Sequence, residues 1–127
     1  MNPSCMATTH FAPPADAKLS SLLGQLIEAL PLPGKLLGLC HKLEFEQHFP
    51  LTAHGYSRTI LHRKKNGAEA MVARWDKGAA TPIHGHPHLA FVYLLEGRLQ
   101  IDNFDQHNGQ LHLRETVVLE PGDHIWN

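Results

Sequence analysis

Cysteine is scarce in this chain: only Cys5 and Cys40 occur among 127 residues. Two such residues build neither a disulfide framework nor a cysteine-based zinc site. An excess of charge is also lacking. Eleven Lys and Arg against twelve Asp and Glu leave a formal net charge of -1, so no basic field argues for nucleic acid as a partner. The short run His62-Arg63-Lys64-Lys65 fits a hairpin tip better than a binding patch. No apolar stretch approaches the length of a membrane span, and no membrane partner is expected. The opening residues Met1-Asn2-Pro3-Ser4-Cys5-Met6 carry no cationic stretch followed by an apolar core. A secretory signal is therefore not expected, and the cytoplasm is the expected compartment. Internal repeats and low-complexity segments are absent too.

What is present is the composition of a globular domain. Apolar residues make up 43% and charged residues 18%, which excludes a disordered chain. The length suits one domain that buries roughly two-thirds of its unfolded surface. Residues 1–15, with Pro3, Pro13 and Pro14, read as a flexible tail, and residues 16–127 as a single domain. Asp16 can cap a helix in which Leu19, Leu22, Leu23, Leu26, Ile27 and Leu30 recur at helical spacing. Pro31-Leu32-Pro33-Gly34 ends it. A shorter helix is predicted over about 35–43, with Cys40 on its apolar face, so that 16–47 form a helical cap.

From residue 51 the texture changes to short strands and turns. Strands are predicted over 54–63, 68–75, 91–95, 98–104 and 110–119, with a last one opened by Pro121-Gly122-Asp123. Asn66-Gly67 and Asn108-Gly109 are hairpin turns, where Gly tolerates positive φ. Many short strands with regular turns imply a mainly β antiparallel sandwich or barrel.

Eleven histidines in 127 residues is a high count, but composition does not make a histidine a ligand. Only Thr81-Pro82-Ile83-His84-Gly85-His86-Pro87-His88 has a pattern that does. On an extended strand the three imidazoles would share a face, and neutral ring nitrogens aimed at one point can hold a divalent metal. The plain alternative is a polar strand with incidental histidines. Tyr56 and Arg58 share strand parity, so both can face one cavity. The alternatives are an exposed Arg58 paired with a nearby acid and a Tyr56 that is core. Trp75, Phe91 and Tyr93 read as core residues.

Gly78, His84, His86 and Gly97 stand at a spacing that resembles the first motif of the cupin superfamily. Ala90 occupies the place of that motif's glutamate and cannot ligate. The segment 55–104 more narrowly resembles the cysteine dioxygenase family of thiol dioxygenases. The resemblance rests on Tyr56-Ser57-Arg58-Thr59-Ile60-Leu61, Met71-Val72-Ala73-Arg74-Trp75, Gly78 to Thr81, and Ile83-His84-Gly85-His86 through Leu94-Leu95-Glu96-Gly97. It covers about 50 of the 127 residues. Bacterial members of that family often carry a small residue where Ala90 stands, and the cysteine–tyrosine cross-link of animal members is ruled out here.

The resemblance implies a cupin-type antiparallel β-barrel, a jelly roll with N-terminal helices, built from residues 51–127. It implies Fe(II) held by three histidines, of which His84 and His86 match the first two. It also implies that Tyr56 and Arg58 bind the substrate, Arg58 through the carboxylate. The implied reaction is oxidation of L-cysteine, or a related thiol such as 3-mercaptopropionate, by O2 to the sulfinate. The family's third histidine would fall a few residues beyond Asn127, so a truncated member or a fragment, lacking its C-terminal strands, is expected. His88 follows Pro87 and reads as a rim residue. His124 lies on the final strand, several residues before the ligand position. The identity of the third ligand stays open, as do a non-catalytic cupin module that binds a metal or a small molecule and an inactive fragment of a longer dioxygenase.

Overall fold

A computed structural model describes residues 8–14, 16–45, 49, 55–83, 85 and 89–126. The chain divides into two compact units, Met1–Ile83 and His84–Asn127. Among the described residues, the elements of the first unit are β1 (Thr8–Phe11), α1 (Ala17–Glu28), α2 (Pro33–Cys40), β2 (Tyr56–Arg63) and β3 (Glu69–Trp75). Those of the second are β4 (Phe91–Tyr93), β5 (Leu99–His107), β6 (Gln110–Leu119) and β7 (His124–Trp126).

In the first unit, α1 starts where the sequence says it should. The Asp16 carboxylate accepts the backbone N–H of Lys18 at 2.8 Å, satisfying one of the donors that open every helix. Leu23 and Ile27 on its apolar stripe are buried. Pro33 does not merely stop α1: it is the first residue of α2, where its fixed φ and missing N–H cost nothing. Leu36, Leu39 and Cys40 of α2 are buried. With Leu23, Ile27, Ile60 and Leu61 they form the apolar core of this unit. A salt bridge of 2.7 Å joins Lys64, at the end of the β2 hairpin arm, to Glu28 at the end of α1.

The sheet of this unit has the order β1-β2-β3. β2 and β3 form the antiparallel hairpin that Asn66-Gly67 announces, with Asn66 Oδ1 accepting the N–H of Ala68 at 3.0 Å. A bulge between Ile60 and His62 lets Ile60 and Leu61, neighbours in sequence, both be buried, because the extra residue breaks the alternation of faces. β1 corrects the expectation of a loose tail over its described part. Thr8–Phe11 runs parallel to β2, with Thr9 opposite Arg58 and His10 opposite Thr59. A parallel partner requires a long crossover, here the helices, so no local turn signal announces the strand.

In the second unit, β5 and β6 form a hairpin, and β4 pairs antiparallel with β7. The hairpin turn is Asn108-Gly109, at φ 51° and 77°, which matches the twist of the flanking strands. Phe91 and Trp126 pack with ring centroids 4.9 Å apart. Leu119 is buried, whereas Leu111, Leu113 and Val118 are exposed.

The protein is thus mainly β with two helices. The described strands lie in one three-stranded and two two-stranded sheets, with no closed barrel among them. The strand expected through the histidine segment is not found on its described neighbours: residues 79–83, 85, 89 and 90 belong to no strand. Pro82 contributes to this, since proline cannot donate to a ladder. No helix among the described residues is long and apolar enough to cross a membrane.

Candidate functional site

β2 begins at a constrained corner. Gly55 has φ +71°, and a Cβ there would lie 3.1 Å from the Cβ of Ala79. The N–H of Asp76, just past β3, donates to the Gly55 carbonyl at 2.7 Å. The base of the β2–β3 hairpin is therefore closed immediately before Tyr56. Asp76 also accepts from Arg74 Nε at 3.3 Å, and Arg74 Nη1 donates to the carbonyl of Phe49. This corner fixes the point from which the alternation of β2 is counted.

Counting from it, Tyr56 and Arg58 fall on one face of β2. The register adds Trp75 and Ala73 from β3 and Thr9 from β1. Tyr56 stacks on Trp75, with ring centroids 4.7 Å apart and planes inclined by 17°. Burial pushes the Tyr56 phenol above its ordinary pKa, and the positive charge of Arg58 opposes that rise. The phenol consequently stays protonated at neutral pH and can donate a hydrogen bond.

Arg58 is held at one end and enclosed at the other. Its Nη2 donates to Thr9 Oγ1 at 3.1 Å. Its Nε is shut off from solvent and has no acceptor among the described residues. Enclosed donors are normally paired, and an enclosed guanidinium N–H is suited to an oxyanion. On the opposite face, Ser57 and Thr59 are buried, and His10 lies opposite Thr59. His10 Nε2 and Thr59 Oγ1 are likewise enclosed without a partner among the described residues.

The structure thus brings together two of the four residues expected at the site, Tyr56 and Arg58. His84 and His86, together with His88, lie outside the described residues. Gly78 and Gly97, which bracket the histidine motif, both adopt positive φ. Ala90 is half-buried just before β4. His124, on β7, packs its ring 5.5 Å from that of Phe91. Among the described residues no group of three or more His, Cys, Asp and Glu is placed to hold a metal. Cys40 is buried, and burial pushes its thiol up to about 11, which makes it a core residue rather than a nucleophile.

Sequence reasoning missed Thr9 and misread Trp75. Thr9 lies in the segment read as tail, 49 positions from Arg58, and nothing local points to it. Trp75, read as core, is half-buried against Tyr56. Its parity with Tyr56 across the Asn66-Gly67 turn was the available signal. The chain matches no family model, no curated protein and no solved structure.

Proposed function

We propose that the protein is a thiol dioxygenase of cupin type. It would oxidise L-cysteine, or a related small thiol bearing a carboxylate, with O2. The observation that carries this reading is the enclosed, acceptor-less Nε of Arg58 on the same strand face as Tyr56. An enclosed cationic N–H with no partner among the described residues suits an anionic substrate group. The Tyr-x-Arg element and the His84-Gly85-His86 spacing between Gly78 and Gly97 supply the rest of the resemblance.

In this reading Arg58 takes the substrate carboxylate as a fork. Tyr56, kept protonated by burial, donates a second hydrogen bond. Together they orient the thiol and limit its freedom, which is how a positioned substrate gains rate. His84 and His86 would hold Fe(II), and neutral imidazole is a donor that suits iron. When bound, ferrous iron supplies the redox chemistry by which both atoms of O2 are added to the thiol sulfur, giving the sulfinate. The chain's own part is to bind and orient the substrate and to provide imidazole donors.

The test is anaerobic reconstitution with Fe(II), followed by metal analysis and O2 uptake on addition of cysteine or 3-mercaptopropionate. Near-stoichiometric iron with thiol-dependent uptake is expected. His86→Ala should abolish iron binding, and normal iron content in that variant would sink the ligand assignment. Iron binding without uptake by the unaltered chain would replace the dioxygenase with a non-catalytic metal-binding module.

A further inference from the structure

Thr9 and Arg58 stand directly opposite each other in the parallel β1–β2 register. The Thr9 side chain is β-branched and stiff at χ1, so its hydroxyl points in few directions. It accepts Nη2–H of Arg58 at 3.1 Å. Thr9 is exposed, and an exposed hydrogen bond contributes little to folding. Its effect falls instead on the guanidinium, a group on a long side chain with many rotamers to lose. Anchoring one nitrogen orients the whole planar fork, including the enclosed Nε.

We infer that Thr9 is a positioning residue: its hydroxyl fixes the Arg58 guanidinium so that Nε–H meets the carboxylate of the substrate. The inference rests on the reading of Arg58 as the carboxylate anchor. It assigns to β1 the role of completing a site that β2 alone leaves loose. The Thr9 hydroxyl, having accepted from Arg58, keeps its own O–H to donate.

The experiment is an anaerobic titration of the full chain with 3-mercaptopropionate, with and without added Fe(II). It is read by the fluorescence of Trp75, which stacks on Tyr56, in a Trp126→Phe background. Propanethiol, which lacks the carboxylate, is the control ligand. Thr9→Val should weaken 3-mercaptopropionate binding about five- to tenfold, the loss of one charge-assisted hydrogen bond. Propanethiol binding and the melting temperature should not move, and Thr9→Ser should restore affinity. If Thr9→Val binds 3-mercaptopropionate like the parent while Arg58→Ala does not, the positioning role is overturned and the substrate site stands. If Arg58→Ala binds as well as the parent, or the parent does not bind, the substrate reading itself fails and the role of Thr9 falls with it. A loss in Thr9→Val equal for both ligands would mark a structural effect and also overturn the proposal.

Discussion

Tyr56 and Trp75 are direct partners across the β2–β3 hairpin, stacked with their ring centroids 4.7 Å apart. The stack covers one face of the phenol with apolar surface, and burial raises its pKa as a result. It also ties the residue read as a substrate contact to an intrinsic fluorophore. An event at Arg58, two positions along β2, therefore has a spectroscopic reporter within the same sheet.

Arg58→Ala should raise KM for cysteine or 3-mercaptopropionate strongly. Losing hydrogen bonds from a charged group costs about 2–3 kcal/mol, or roughly 30- to 150-fold. Arg58→Lys keeps the charge but not the fork, so it should recover only part of the loss. Steady-state O2 uptake checks both variants. Equal KM values in parent and Arg58→Ala would remove Arg58 from the substrate site.

Gly55→Ala should destabilise the first unit and disturb the entry to β2. An alanine at φ +71°, with its Cβ 3.1 Å from that of Ala79, carries backbone strain of about 1–3 kcal/mol. The denaturant midpoint should fall accordingly, and the Trp75 fluorescence of the folded state should shift. An unchanged midpoint would show that the corner relaxes without cost.

Thr59→Val should leave stability unchanged or raise it by about 1 kcal/mol. Thr59 is 2% exposed, and its hydroxyl has no partner among the described residues. Replacing an unpaired buried polar group with an isosteric apolar one removes a desolvation cost rather than a bond. A marked loss in chemical denaturation would mean that the hydroxyl is satisfied in solution, for example by a buried water.

Alkaline pH should weaken the fold. Burial raises the Cys40 thiol from 9.0 to about 11, and it raises the Tyr56 phenol above 10.0. Above pH 9 the unfolded chain releases the Cys40 proton while the folded chain keeps it. The unfolded state then binds fewer protons, so stability falls as pH rises from 9 to 11. Cys40→Ala should flatten that part of the profile in melting experiments. In a Cys5→Ser background, Cys40 should resist thiol reagents at pH 8 until the protein is unfolded. Rapid labelling of the native protein would contradict its burial.

Much of the local structure is determined by the sequence alone, and the reason is that its signals are local. Asp16 and the leucine spacing specify α1, because a cap and a 3.6-residue period act within a few turns. Asn66-Gly67 and Asn108-Gly109 specify two hairpins, because Gly67, Asn108 and Gly109 take the positive φ that the turns need and the Asn66 side chain accepts the N–H of Ala68. β6 spans the predicted residues 110–119. The shared face of Tyr56 and Arg58 follows from the two-residue period of a strand. The tertiary structure decided what depends on partners distant in sequence. β1 exists because β2 supplies its hydrogen bonds across the helical crossover. The bulge after Ile60 depends on the register with β3. The mainly β character followed from the count of strands and turns, but the expected barrel rested on the family resemblance, and neither specifies which strands pair. The hydrogen bond between Thr9 and Arg58 follows from the parallel register of two strands whose residues lie 49 positions apart, a distance over which no local propensity acts.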